Sequence, residues 1–252
     1  MANRPPSLVT TATARSLVVQ LGRGGRSTEI AARLEDAIRL GVIRPGARLP
    51  SEATLAEQLQ VSPVTLREAL ALLRERDLIE TRRGRSGGSF VRGTDDAHAD
   101  GLDARLLSLA PHELRDLQDH RAAISSTTAR LAAARATTSA VHEISAAVHG
   151  FAGARDVAAN RQADTRFHVE IAAAAQSPRL TAEVLGLWVQ VGDLVWLPVA
   201  DSQRASLVAE RAEIAAAISC GAGSRAHALM VGMIDSETIR LLSYRMNLVI
   251  QQ

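Results

Sequence analysis

The second half of the chain repeats alanine, leucine and arginine at the spacing of α-helices. From residue 111 onward, apolar residues recur three and four positions apart, which is the period of helices with one buried face. Helix-breaking residues interrupt the pattern at Gly150–Gly153, Ser177-Pro178, Pro198 and Gly221–Gly223. Six or seven helices fit between these breaks, and no convincing strand pattern occurs. We therefore predict an all-helical bundle over residues 111–247.

Basic charge is concentrated toward the N-terminus. All 29 basic residues are arginine, and residues 1–93 hold 15 of them against 9 Asp and Glu, whereas residues 94–252 hold 14 against 18. A basic end beside a mildly acidic body predicts a polyanion partner for the first part only. Residues 1–26, with Pro5-Pro6 and a Gly-rich stretch, are predicted to form a flexible basic tail.

Cysteine content and hydropathy bear on the compartment. Cys220 is the single cysteine, so no internal disulfide can form. No apolar run approaches the roughly 18 residues of a membrane span, and no signal-peptide pattern is found. We therefore expect a cytoplasmic protein with no membrane contact.

Residues 27–93 carry the pattern of a winged helix-turn-helix. Ser27 is the predicted N-cap of a first helix that ends at Gly41, and Ser51 is the predicted N-cap of a second. Ser62-Pro63 suits the N-cap and first position of a third helix, which runs to about Arg76. Two short strands, Leu78 to Thr81 and Ser89 to Arg92, flank a basic glycine-rich tip, as in a wing. Residues 94–110 are predicted to be a linker with room for one short helix.

This arrangement predicts DNA binding, because a helix-turn-helix presents the N-terminus of its recognition helix to the major groove. Arg67 is the strongest candidate base reader, since an arginine can hold a guanine through two donors. Arginines at the wing tip are expected to contact phosphates or the minor groove, although a solvated charged loop is the alternative. The predicted DNA-binding residues are Arg48, Ser51, Ser62, Val64, Thr65, Arg67, Arg82, Arg83, Gly84, Arg85 and Gly87.

These residues resemble the GntR family of bacterial regulators. The N-terminal resemblance is carried by Leu49-Pro50-Ser51-Glu52, Leu55 to Leu59, Arg67-Glu68-Ala69-Leu70 and Leu78-Ile79-Glu80. The C-terminal half resembles the FCD effector domain of the FadR-type subfamily, through His120-Arg121, Asp164 to His168, Ser177 to Leu180 and Ile214 to Ile218. The resemblance implies a homodimer on a short, roughly palindromic operator, and a small-molecule effector in the helical domain.

Two departures affect the DNA-binding half. Ala53 and Pro63 stand where many relatives carry an arginine. Fewer basic base readers remain, so the operator sequence of relatives does not carry over to this chain.

The resemblance also implies a divalent metal, held by an Asp and a His four residues apart and by two later histidines. Asp164 and His168 supply the first pair, but Arg211 and Met233 stand at the other two positions. A guanidinium has no lone pair to donate and a thioether is a poor ligand for hard ions. We therefore predict no metal and no other cofactor. We also expect Arg211 to pair with Asp164 in the bidentate geometry that arginine favours.

The resemblance further implies a small carboxylate as the effector, and we expect Arg211 to bind it directly, with Phe167 or Trp188 as an apolar wall. The predicted effector-binding residues are Arg121, Asp164, His168, Arg211 and Met233. Two alternatives remain open. The Arg211 and Asp164 pair is purely structural in an architectural DNA-binding dimer, or the helical domain is a remnant hydrolase. The sequence contains no glycine-rich phosphate loop, no G-x-S-x-G elbow and no metal-ligand set, which are features of enzymes. We therefore expect a transcriptional regulator and not an enzyme.

Overall fold

A computed structural model describes residues 26–43, 46–82, 84, 87–92, 101–154, 157–197 and 199–251. The chain divides into two compact units, Met1–Asp95 and Asp96–Gln252. Within the described residues, the first unit holds three helices and a two-stranded sheet, and the second is helical. The predicted fold class, a winged helix-turn-helix followed by a helical bundle, is confirmed. The tail predicted over residues 1–26 lies outside the described residues except for Arg26.

The elements of the N-terminal unit follow the helix-turn-helix order. They are α1 Ser27–Arg39, α2 Glu52–Leu59, α3 Pro63–Glu75, β1 Ile79–Arg82 and β2 Gly88–Val91. Ser51 and Ser62 cap α2 and α3, and each hydroxyl accepts from the backbone N–H three residues on, at 3.2 and 3.1 Å. The predicted cap of α1 is off by one residue. Arg26 occupies the N-cap, and its N–H donates to the Glu29 carboxylate at 3.3 Å, which leaves Ser27 as the first helical residue.

The apolar faces of α1 and α3 form the core of this unit, with Ile30, Leu34, Leu66 and Leu70 among the buried side chains. The two strands of the wing pair antiparallel, with Ile79 opposite Val91. The second edge of β2 also bonds to the chain before α2, because Leu49 N–H donates to the Ser89 carbonyl and Val91 N–H donates to the Ala47 carbonyl, both at 2.9 Å. The wing is therefore anchored along both edges of β2.

The described residues of the C-terminal unit contain seven α-helices, of which six lie from residue 111 onward, within the range of six or seven predicted there. They are α4 Leu102–Ser108, α5 Pro111–Arg135, α6 Thr138–Gly153, α7 Val157–Ala174, α8 Pro178–Val191, α9 Arg204–Ser219 and α10 Gly223–Ile250. Single 3-10 turns at Leu194–Trp196 and Asp201–Gln203 connect α8 to α9. None of the helices in the described ranges is both long and apolar enough to cross a membrane.

Helix α4 lies in the segment predicted to be a linker. Its Leu102 and Leu106, four positions apart, are buried and belong to one cluster with Leu114 of α5 and Leu241 of α10. This part of residues 94–110 therefore belongs to the core of the helical unit, because its apolar residues share one helical face. Residues 93–100 lie outside the described residues.

Candidate functional site

Four charged side chains form a buried network inside the helical unit. Arg121 of α5, Asp164 of α7, Arg211 of α9 and Glu237 of α10 are each at most 2% exposed. Arg211 donates through Nε and Nη2 to the two oxygens of Asp164, at 2.7 and 3.0 Å, and Nη2 also donates to Glu237 Oε1 at 3.0 Å. Arg121 Nη2 lies 2.7 Å from Glu237 Oε2. The two positive and two negative groups balance, so the network can be buried without a net charge.

Arg211 and Asp164 form the bidentate pair that the sequence predicts. Arg211 Nη1 donates to the Leu207 carbonyl at 3.2 Å, so every nitrogen of this guanidinium is engaged by the protein. Trp196 Nε1 donates to Asp164 Oδ2 at 3.1 Å. Burial by itself would lower the pKa of Arg211, but the charge of Asp164 and its hydrogen bonds raise that pKa above its ordinary value. Arg211 is thus a permanently charged part of the framework of the site.

Glu237 completes the network, and sequence reasoning missed it. Burial alone would raise the pKa of Glu237, but the charges of Arg121 and Arg211 hold it below its ordinary value. The signal in the sequence is periodicity, because Met230, Glu237 and Leu241 recur at helical spacing on the buried face of α10. A carboxylate at an apolar position of that face indicates a buried polar partner. Met233, the predicted contact one turn earlier, lies instead in the apolar core.

His168 lies on the same face of α7 as Asp164 and is buried against Trp188, with the two ring centroids 4.3 Å apart. Its Nε2 is 3.7 Å from Asp164 Oδ1, which is too far for a hydrogen bond. Burial, followed by the charges of Arg121 and Arg211, places the pKa of His168 well below its ordinary value. The imidazole is therefore neutral at neutral pH. Phe167, a predicted wall residue, packs in the apolar core.

Several buried polar atoms around this network have no hydrogen-bond partner among the described residues. On α5 they follow one face at Gln118 Nε2, Arg121 Nε and Ser125 Oγ, and on α7 and α8 they are Asn160 Oδ1, His168 Nε2 and Trp188 Nε1. Arg121 Nη2 is close to Glu237 but lacks the alignment of a hydrogen bond. Buried polar atoms are almost always bonded in folded proteins, so these six atoms call for a partner such as a water molecule or a ligand. Sequence reasoning named neither Gln118, Ser125 nor Asn160.

The donor set at this site does not fit a metal ion. Both oxygens of Asp164 already accept hydrogen bonds from Arg211, whose charge would repel a cation at the same place. Within the described ranges, no group of three or more His, Cys, Asp and Glu side chains is arranged to hold a metal. The metal-free state stays a prediction, with a guanidinium where a metal ligand would be needed.

The N-terminal unit presents a second candidate site at the start of α3. Val64 is 62% exposed, and the Arg67 side chain is 64% exposed. Arg67 Nε lies 2.9 Å from Glu52 Oε2 of α2, a partner that sequence reasoning did not identify. The Ser62 and Thr65 hydroxyls are 2.8 Å apart within the cap of α3, and Ser51 caps α2 in the same way. Their hydroxyls thus position the helix that carries Arg67.

The wing supplies further predicted residues. Arg82 lies over the ring of Phe90, 4.5 Å from its centroid, and also pairs with Glu80 at 2.5 Å. Arg48 is exposed and forms a β-bridge with Phe90. Gly84 adopts φ +108°, a left-handed conformation that favours glycine, and its carbonyl accepts from Gly87 N–H at 2.8 Å. Arg83 and Arg85 lie outside the described residues.

Comparisons with known proteins match both units. The model of the family described as bacterial regulatory proteins, gntR family, matches residues 26–91, and the FCD domain matches residues 116–236. A Mycobacterium gastri protein named as the HTH-type transcriptional regulator RmpR is 36% identical over 226 residues, which are 88% of this chain and 82% of that protein. The Exu regulon transcriptional regulator of Escherichia coli K12 is 28% identical over 64% of this chain and 61% of its own length.

Solved structures are similar in fold. The Escherichia coli protein McbR/YncC is 16% identical, with a TM-score of 0.51, over 86% of this chain and 98% of that chain. This likeness concerns the fold alone.

Proposed function

The chain belongs to the gntR family of bacterial regulatory proteins, and from this membership we propose that a small carboxylic acid in its buried polar network alters its affinity for an operator. The family and the named relatives identify a DNA-binding transcriptional regulator with a ligand-sensing FCD domain. We further propose that it acts in the cytoplasm as a homodimer on a palindromic site, and that the helical unit senses and does not catalyse.

On the DNA side, α3 is proposed as the recognition helix. Its first turns carry exposed Val64 and Arg67, while Thr65 helps to hold the cap. A cap whose hydroxyls are already engaged fixes the start of the helix, so the Arg67 side chain projects from a rigid base. Arg82 of the wing and Arg48, which forms a β-bridge with the wing strand β2, are proposed to contact phosphates, as are the predicted Arg83 and Arg85.

The observation that carries the effector proposal is the row of unpaired donors on α5. Gln118, Arg121 and Ser125 are spaced at i, i+3 and i+7, so they lie along one face over roughly 10 Å of helix. All three are buried, and two of them offer N–H groups beside a neutral ion network. A carboxylate accepts hydrogen bonds and would satisfy these donors.

Arg121, and not Arg211, is proposed as the residue that grips the acid. Every guanidinium nitrogen of Arg211 has a protein partner, whereas Arg121 Nε has no hydrogen-bond partner among the described residues. Arg211 instead holds Asp164 and Glu237 in place. Asn160 and His168, one turn on either side of Asp164, supply an acceptor and a neutral imidazole for the rest of the ligand.

Intrinsic fluorescence offers a direct test, because both tryptophans of the chain lie in the helical unit and Trp188 contacts Arg121 and His168. Titration with a panel of small mono- and dicarboxylic acids is expected to change the emission. The same acid is expected to shift operator affinity. Ser125→Ala should weaken its binding by about tenfold, the loss of one hydrogen bond to a charged group.

Ser126→Ala is the matched control, since Ser126 is equally buried on the same helix but is not among the residues with unpaired buried atoms. It should leave the affinity for the acid unchanged. An amide analogue that binds as tightly as the acid would contradict the carboxylate assignment. If no acid changes either the emission or operator binding, the ion network is structural and the architectural alternative is favoured.

A further inference from the structure

Arg67, the exposed arginine of the recognition helix, is held by a carboxylate from the other helix of the motif. Its Nε lies 2.9 Å from Glu52 Oε2, and the two side chains are 64% and 46% exposed. Glu52 is the first residue of α2, directly after the cap Ser51. Ala53 is an exposed small residue next to it. An exposed acid and an exposed alanine thus lie side by side at the start of α2, and the acid contacts Arg67.

An exposed ion pair of this kind adds little to the stability of a protein. It also works against general affinity for DNA, because a carboxylate beside the arginine cancels its charge and repels phosphates. A role in stability or in phosphate binding therefore does not account for the pair. Its geometry suggests a different role.

The contact restrains one edge of the guanidinium. Glu52 accepts a hydrogen bond from Nε of Arg67, while Nη1 and Nη2 of Arg67 make no hydrogen bond among the described residues. Two parallel N–H donors are what the O6 and N7 atoms of guanine accept in the major groove. A guanidinium restrained at Nε loses less freedom when its two Nη groups meet a base than one that moves freely.

We infer that Glu52 is a specificity-determining residue of the DNA-binding surface, which orients Arg67 toward a base and disfavours its contact with phosphate. The inference rests on the proposed function, in which Arg67 reads the operator. Glu52 acts through Arg67 and is a positioning residue. Its removal should increase binding to DNA in general while decreasing discrimination.

The experiment uses the full-length protein and an operator selected by it from random duplexes. Dissociation constants for this operator and for a scrambled duplex are measured at several salt concentrations. Glu52→Ala is expected to tighten binding to the scrambled duplex and to lower the ratio of specific to non-specific affinity by roughly tenfold, within the range for one bidentate base contact. Glu52→Gln, whose carbonyl still accepts from Nε, is expected to keep most of the ratio.

Glu57→Ala is the matched control, because Glu57 is an exposed acid on the same helix without a contact to Arg67. It removes the same charge, so it should tighten both complexes alike and leave the ratio unchanged. In an Arg67→Ala background, Glu52→Ala should produce no further loss of discrimination. Thermal melts verify that each variant is folded.

The outcomes separate the two claims. A wild-type protein that selects no sequence overturns the proposed function and this inference with it. A wild-type protein that selects an operator, while Glu52→Ala retains the ratio, overturns this inference alone. Equal loss of discrimination from Glu52→Ala in both backgrounds would show that Glu52 does not act through Arg67, and it also overturns the inference.

Discussion

His168 is a neutral imidazole enclosed by protein and flanked by two arginines. Its pKa is lowered by burial first and then by the charges of Arg121 and Arg211, whereas in the unfolded chain it would titrate near its ordinary value of 6.5. Below that pH, His168 binds a proton in the unfolded state but stays unprotonated in the folded state. The stabilisation that neutral His168 gives the folded state is therefore fully present above about pH 6.5, and it is lost as the pH falls toward the folded pKa.

We predict that acidification from pH 7.5 to 5.5 lowers the free energy of unfolding of the helical unit, by up to about 1.4 kcal/mol per pH unit below 6.5. His168→Gln should flatten this dependence. Urea unfolding followed by tryptophan emission measures it, because both tryptophans lie in this unit. His120→Gln, at an exposed histidine, is the control. An equal pH slope in wild type and His168→Gln would contradict the assignment.

Glu237 shares its carboxylate between two buried arginines. Glu237→Gln keeps the shape of the side chain but removes its charge, so Asp164 remains as the one fully buried carboxylate of the network beside Arg121 and Arg211. Because an unpaired buried charge is costly, the helical unit should lose about 3 kcal/mol or more at pH 7. This stabilisation should also begin to be lost from the wild type as the pH falls below 4.5, and it should be lost completely only below the folded pKa of Glu237, which lies under that ordinary value.

Urea unfolding at pH 7 and at pH 4 tests this prediction. The exposed Glu213→Gln on α9 serves as the control and should have little effect. A loss of less than about 1 kcal/mol from Glu237→Gln would show that the two arginines find other partners.

Among the elements, the start of α3 depends on a single hydroxyl. Ser62 accepts the Thr65 N–H at 3.1 Å, and Pro63 occupies the first helical position, where no N–H is needed. Ser62→Ala should therefore cost about 1 kcal/mol, and hydrogen exchange of the first-turn amides should speed up by about fivefold. Ser62→Asn, which restores a cap, should restore protection. Hydrogen exchange measured by mass spectrometry tests this prediction. Unchanged exchange rates of the first-turn amides in Ser62→Ala would contradict the role of the cap.

Helix α4 is held in place by hydrogen bonds to residues that are distant in the sequence. Tyr244 donates to Asp103 at 3.1 Å, and Arg245 Nε donates to the Leu109 carbonyl at 3.0 Å, so α10 holds both ends of α4. Arg105 donates to the Val189 carbonyl at the end of α8 at 3.3 Å. These partners are 84 to 141 positions away in the sequence. A local pattern therefore permitted a short helix here but did not indicate that it would pack into the helical unit.

At the scale of the whole molecule, the division of charge predicted from the sequence coincides with the division into two units. The basic end becomes the winged unit and the mildly acidic remainder becomes the helical unit. The two candidate sites differ in the same way. The proposed DNA surface is exposed and lies beside two helix caps, while the proposed effector site is buried and contains charged side chains from four helices.

The sequence by itself determined the helix breaks at Ser177-Pro178 and Gly221–Gly223, the caps at Ser51 and Ser62, the wing strands to within one residue and the pairing of Asp164 with Arg211. The break predicted at Gly150–Gly153 was placed too early, because α6 continues through Gly153. The caps, breaks and strands depend on neighbours within a few residues, and the ion pair followed from the family resemblance. Only the tertiary structure decided which arginine has a protein partner for every guanidinium nitrogen and which keeps a nitrogen available to a ligand. Arg211 meets partners 47 and 26 positions away, and these occupy its nitrogens while Arg121 retains an unpaired Nε. Periodicity places a side chain on a buried face, but the packing of the helices determines its partners there.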